Sequence, residues 1–222
     1  MIRLVIFDFS GVLINDLRQS WLSISKIMRL NEKKPDTLDE FRKNFRLPYW
    51  DYLVAKGFTL AEAKDPKIVQ DYKQFYGELA DYVKVFDDVV DTLAVLAKKR
   101  MQLAVASHSP RGVVNMMMSR FGLQKFFKEE NVYSLEDYKE QKPHPESILR
   151  VLDNLDYHAN HAIYVGDMRE DVEAARRAGV RSVAIHREDG SYHAEQLLRR
   201  EGPTFFVSRL TQVLDIVREE ET

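Results

Sequence analysis

The chain has no cysteine. That absence excludes disulfides, thiolate metal sites and a thiol nucleophile. No apolar run approaches the roughly 18 residues of a membrane span, and Arg3 breaks the N-terminal run before it could serve as a signal peptide. An excess of charge of either sign is also missing: 33 Lys and Arg stand against 35 Asp and Glu, a net charge of -2. Neither nucleic acid nor a membrane is therefore expected as a partner, and a cytoplasmic location is the expectation. Internal repeats and low-complexity segments are absent too. What the 222 residues do hold, 45% hydrophobic and 31% charged, suits a globular protein of one large domain or two small ones.

Two textures divide the chain. Residues 1–14 and 86–222 alternate short β-branched runs with helical patterns. The runs are Leu4–Phe7, Leu103–Ala106, Ala162–Val165, Val180–Ile185 and Thr204–Val207, and helical patterns cover Val89–Lys99, Arg111–Phe121, Pro145–Leu155 and Arg169–Ala178. Strand and helix in series predict an α/β fold, a doubly wound parallel sheet with helices on both faces. Gly122 and Gly179 fall where C-terminal helix caps belong. Residues 15–85 show no convincing strand. Their apolar residues recur at helical spacing, as in Trp21, Leu22, Ile24, Ile27 and Met28, and Pro35, Pro48 and Pro66 mark helix starts. This stretch is predicted to be an inserted α-helical bundle of about four helices, hanging over the carboxyl end of the first strand.

Chemistry-bearing residues gather at strand ends. Asp8 closes the first apolar run, and Gly11 lets the backbone turn beside it. A carboxylate at the end of a buried strand costs energy unless it is solvated, paired or bound to a metal. Ser107 closes the second run; its hydroxyl suits either an anion site or a helix N-cap. Lys142 sits in Gln141-Lys142-Pro143-His144-Pro145, where Pro143 favours an extended backbone at the lysine. Asp167 ends another run, and Asp171 follows four residues on. Carboxylates converging beside Asp8 repel unless a cation neutralises them, and hard oxygen ligands with open positions suit Mg²⁺. A nucleophilic carboxylate, an anion-binding hydroxyl, a lysine and an acidic pair make a phosphoryl-transfer site.

With these motifs in this order, the chain resembles the haloacid dehalogenase-like hydrolases over essentially its whole length. Asp8-Phe9-Ser10-Gly11-Val12 is similar to the first motif of that family, Ser107 to the second, Lys142-Pro143 to the third and Gly166-Asp167 through Asp171 to the fourth. The insertion at 15–85 resembles the helical cap of the phosphoglycolate phosphatase and β-phosphoglucomutase branch. The resemblance implies a Rossmann-like core and a Mg²⁺-dependent phosphatase acting on a small phosphorylated substrate, as a monomer or homodimer. It implies Asp8 as nucleophile, Ser107 and His108 as holders of the phosphoryl oxygens, and Lys142 as charge balance. Mg²⁺ would bind Asp8, the backbone carbonyl of Ser10 and Asp167, with Asp171 as a further ligand or supporting partner.

One position departs from the family pattern. Phosphatases of this family usually carry a second aspartate two residues after the nucleophile, as acid and base; here that residue is Ser10. A hydroxyl is far from a useful pKa, so slow turnover is expected, general acid–base help being worth roughly 10²–10⁴-fold. The alternatives are a phosphonatase, which needs a buried cap lysine among Lys26, Lys33, Lys34, Lys43 and Lys56, and a phospho-ligand-binding protein without efficient turnover. Asp16 is the nearby residue that could fill the vacated acid–base role.

Overall fold

The computed structural model describes residues 1–219. Strand β1 (Leu4–Phe7) is followed by a tight turn and the two-residue strand β2 (Ile14–Asn15). Five helices come next: α1 (Leu17–Leu30), α2 (Leu38–Asn44), α3 (Tyr49–Ala55), α4 (Leu60–Ala63) and α5 (Pro66–Glu78). Strand β3 (Lys84–Val85) then returns to pair antiparallel with β2, Ile14 opposite Val85. Helix α6 (Val89–Lys98), β4 (Gln102–Ala106), α7 (Arg111–Arg120), β5 (Val132–Tyr133) and α8 (Glu146–Leu155) follow. The chain ends with β6 (Ala162–Gly166), α9 (Arg169–Arg177), β7 (Arg181–Ile185), α10 (Glu195–Arg200), β8 (Phe205–Val207) and α11 (Val213–Glu219).

Six strands form one sheet in the order β5-β4-β1-β6-β7-β8. Every neighbouring pair is parallel. The chain works outward from β1 through β4 to β5, then crosses back to β6, so the order reverses beside β1. This is the doubly wound arrangement, and its ligand crevice lies at the carboxyl ends where the direction switches. The period-2 alternation of each strand feeds two cores. Val5, Phe7, Leu103, Val105, Ile163 and Val165 meet α6, α7 and α11 on one face. Leu4, Ile6, Ala104, Ala106, Ala162 and Tyr164 meet α8 and α9 on the other. Burial on both faces is why these strands read as continuous apolar runs.

The inserted helices start where local chemistry starts them. Thr37 and Thr59 make capping boxes with Glu40 and Glu62, and Asp65 caps α5 with Pro66 at its first position. Pro48 stands at the N-cap of α3. Their aromatic core, including Phe41, Phe45, Tyr52 and Phe75, extends to Met168 and Tyr192 of the sheet layer. Gly122 and Gly179 take the left-handed conformation, φ +62 and +72, after α7 and α9. Three features differ from the sequence reading. The insertion holds five helices. Residues 14–15 and 84–85, read without strand, form a short ladder, and β5 was not read as a strand at all. A two-residue strand carries too few alternating positions to register as a pattern.

Candidate active site

Asp8 follows β1, Ser107 follows β4 and Asp167 follows β6, three adjacent strands of the sheet. The Asp8 amide donates to the Val165 carbonyl at 2.8 Å, so the β1–β6 pairing runs right up to the site. Two glycines let the acids crowd together. A Cβ on Gly11, which has φ +74, would lie 2.3 Å from Asp167 Oδ2, and one on Gly166 would lie 2.3 Å from Asp171 Cβ. Asp8, Asp167 and Asp171 are buried and offer carboxylate oxygens all within 4.8 Å of one another.

Lys142 is buried between two of these acids, its Nζ 2.7 Å from Asp8 Oδ1 and 2.7 Å from Asp171 Oδ1. Burial works against its charge, but Asp171 and Asp8 outweigh burial and raise its pKa. Burial lifts Asp8 to about 7, Lys142 pulling it down and Asp171 pushing it up. Burial, then Asp171 and Asp8, lifts Asp167 well above the carboxylate range. Asp167 Oδ2 accepts from the Tyr192 amide, while its Oδ1 is buried with no hydrogen-bond partner. Asp171 is more fully engaged: Oδ2 accepts from the Met168 amide at 2.9 Å, and the Tyr164 hydroxyl lies 3.2 Å from Oδ1.

Ser107 is buried, and its Oγ accepts from the Ser109 amide at 3.1 Å. It therefore closes a turn after β4, while the N-cap of α7 is Pro110. The Arg111 amide at this helix start donates to Glu136 Oε2 at 2.7 Å. His108 is held neutral by burial and by the neighbouring Lys142; the Glu140 backbone opposes this only weakly, and neither ring nitrogen makes a hydrogen bond of ordinary geometry. Its ring lies against Tyr138, centroids 5.0 Å apart.

Ser10 does not stand alone. Its Oγ donates to Asp16 Oδ2 at 2.8 Å and lies 3.2 Å from Ser109 Oγ. Asp16 is fully buried, accepts from the Tyr76 hydroxyl at 2.9 Å and has the Tyr192 hydroxyl 3.3 Å from its other oxygen. Burial raises it to about 6 despite these hydrogen bonds. Tyr76 and Tyr192 lie far from Ser10 in sequence, and nothing local marked them. Asp16 did carry a signal, as a carboxylate just ahead of a helical run. A cavity of about 110 Å³ opens from this cluster toward the inserted helices, reaching Asp8, Ser107, His108 and Lys142 at one end and Ile24, Leu53 and Tyr72 at the other.

The family model for haloacid dehalogenase-like hydrolases matches residues 5–185, a span that takes in Asp8, Ser10, Asp16, Ser107, Lys142, Asp167 and Asp171. The chain belongs to that family. Among relatives of this hydrolase is the putative pyrophosphatase PpaX of Caldanaerobacter subterraneus subsp. tengcongensis, 28% identical over 98% of this chain and 95% of that one. Among solved structures, a putative phosphoglycolate phosphatase from Lactobacillus plantarum superposes with a TM-score of 0.83 at 15% identity, covering 97% of this chain and 99% of that one. A putative β-phosphoglucomutase from Thermotoga maritima superposes with a TM-score of 0.68 at 23% identity, covering 98% of this hydrolase and 99% of its own chain. The fold is thus the doubly wound core with an inserted helical cap.

Proposed function

We propose that this hydrolase is a Mg²⁺-dependent phosphatase that acts on a small phosphorylated substrate through an aspartyl-phosphate on Asp8. One observation carries the reading: Asp8, Asp167, Asp171 and Lys142 meet in a buried cluster at the switch point of the sheet. Without a cation Asp8 and Asp167 are pushed toward their protonated forms; fully ionised, three carboxylates against one ammonium would carry two excess negative charges, the charge of one divalent cation. The partnerless Oδ1 of Asp167 and the all-oxygen donor set fit Mg²⁺, which takes one or two carboxylates plus phosphate oxygens. The ligands are then Asp8, Asp167 and the Ser10 carbonyl; Asp171, with both oxygens engaged, holds Lys142 and supports the set. When bound, the ion neutralises phosphoryl charge and orients the phosphate for in-line attack.

In this reading an Asp8 oxygen attacks phosphorus, and the bond to the leaving oxygen breaks. Lys142 offsets charge beside the reacting carboxylate. The Ser107 hydroxyl and the backbone at His108 hold the phosphoryl oxygens. Water then cleaves the acyl phosphate and restores Asp8. The helical segment 15–85 acts as a cap on the core formed by 1–14 and 86–222, supported by the β2–β3 ladder that ties its two ends together. The proposed place of work is the cytoplasm; among the described residues no helix is long and apolar enough to cross a membrane. A phosphonatase would need a cap lysine at the cavity. Lys142 is the one lysine among the described cavity-lining residues, Lys26 is paired with Glu78 and Lys56 with Asp36.

Phosphate release from an aryl phosphate in Mg²⁺ tests the proposal. Steady release that disappears in a folded Asp8→Asn variant is expected. A wild-type rate in that variant would remove Asp8 from the chemistry.

A further inference from the structure

We infer that the substrate is the phosphate monoester of an apolar alcohol or phenol of about one ring in size. This rests on the phosphatase reading and narrows it. The cavity has two ends of opposite character. At the sheet end lie Asp8, Ser107 and Lys142, where a phosphoryl group would sit. At the cap end the lining is aliphatic, from Ile24, Ile27, Leu47, Leu53, Ile68 and Val69, with the rings of Phe45, Tyr49 and Tyr52 among them.

Among the described lining residues the sole permanent cation is Lys142, and its ammonium is already shared by Asp8 and Asp171. His108 is held neutral. The phenol hydroxyls that could serve a charged group are largely engaged inside the protein. Tyr72 hydrogen-bonds Ser20 at 2.8 Å, Tyr52 donates to Asp36 at 3.2 Å, and Tyr192 lies 2.5 Å from Ser20 Oγ. A leaving group with its own carboxylate or phosphate would be stripped of water against aliphatic walls with no opposite charge, which is strongly unfavourable. The names borne by relatives, pyrophosphatase and phosphoglycolate phosphatase, denote such anionic leaving groups. An apolar ring gains from the same walls. The volume, about 110 Å³, is of the order of the ~150 Å³ apolar cavity that takes up benzene. The net reaction consumes one water and yields the free alcohol and inorganic phosphate.

Benzyl phosphate and 2-phosphoglycolate make the decisive pair. Both are alkyl esters, so their leaving oxygens differ little in chemistry, while one carries a ring and the other a carboxylate. With Mg²⁺, kcat/KM for phosphate release is expected to favour benzyl phosphate by at least tenfold over both phosphoglycolate and inorganic pyrophosphate. Val69→Arg and Ile24→Arg, at half-buried wall positions, are expected to shift that ratio toward phosphoglycolate in whichever variant folds. A wild-type preference for either anionic substrate overturns the inference and leaves the phosphatase reading standing. If no ester releases phosphate, that reading falls. Calorimetry with benzylphosphonate and phosphonoacetate then decides the pocket alone: tighter benzylphosphonate supports an apolar ligand, and equal or tighter phosphonoacetate overturns it.

Discussion

At the scale of single residues, Ser10 is the position that would limit turnover in the proposed phosphatase. Its one hydroxyl proton is given to Asp16 at 2.8 Å, and its own pKa is far from the working range. It therefore neither protonates an alkoxide nor activates water well. In the proposed mechanism, attack by Asp8 needs no such help when the leaving group is an aryl oxide; hydrolysis of the acyl phosphate would still need it. Ser10→Asp is expected to raise turnover of alkyl phosphates on the order of 10²-fold, the value of a positioned acid–base group. The new carboxylate would abut Asp16, and two adjacent carboxylates resist ionising together. Adding Asp16→Asn should therefore raise turnover further. Steady-state rates and the size of the phospho-enzyme burst check both steps, and a slower Ser10→Asp enzyme with intact Mg²⁺ affinity would contradict the account. Asp167 supports a second expectation. Its Oδ1 is buried without a partner, and the proposed Mg²⁺ site uses it as a ligand, so Asp167→Ala should weaken Mg²⁺ binding in calorimetry by tenfold or more, with equal affinity placing the ion elsewhere.

Elements explain which parts of this were legible in the sequence. Asp8, Ser107 and Asp167 could be found because each directly follows an apolar run, and the sheet brings the ends of β1, β4 and β6 side by side. Lys142 lies in a loop ahead of α8, and only its proline-flanked motif pointed to it. Contacts that cross between elements left no local trace: Tyr192 reaching Asp16, or Tyr164 beside Asp171. The β2–β3 ladder was equally hidden. Beside it sits a buried clasp, in which Arg187 donates to Asp88 at 2.9 Å and to the Val12 carbonyl at 3.2 Å and covers the Phe86 ring at 3.9 Å. Asp88 also accepts from the Leu210 amide at 2.6 Å, so its charge is fixed in place. Arg187→Ala would leave that carboxylate buried without its cation, a change that typically costs about 3–5 kcal/mol. Urea unfolding should show the loss. Arg187→Ala with Asp88→Ala should cost less than the sum of the two single changes, since the residues are in contact; additivity would mean that the pair is not coupled.

For the whole molecule, the question is how a substrate reaches a site whose acids, lysine and serine are almost fully covered. The cap meets the core through an apolar seam around Phe45 and Tyr192 and through a few polar contacts. His193 Nε2 lies 2.8 Å from the Phe45 carbonyl, the Tyr49 amide donates to Gln141 at 3.2 Å, and Lys73 pairs with Glu136 at 2.8 Å on the surface. Exposed ion pairs of the last kind contribute about 0–1 kcal/mol, so resistance to opening lies in the apolar seam and in buried hydrogen bonds such as that from Tyr192 to Ser20. The covalent links are the two strands of the β2–β3 ladder, a geometry that permits rotation about one short axis. Closure over substrate would expel water and complete the apolar chamber. Because the chain has no cysteine, two introduced thiols can be labelled without background. Gln70→Cys on α5 and Asp153→Cys on α8 are both exposed positions, one on the cap and one on the core. Spin-label distances between them are expected to be broad or two-peaked in the free enzyme and to narrow when Mg²⁺ and a phosphate analogue such as vanadate are bound. A single narrow distance, unchanged by the analogue, would mean that substrate enters without cap movement.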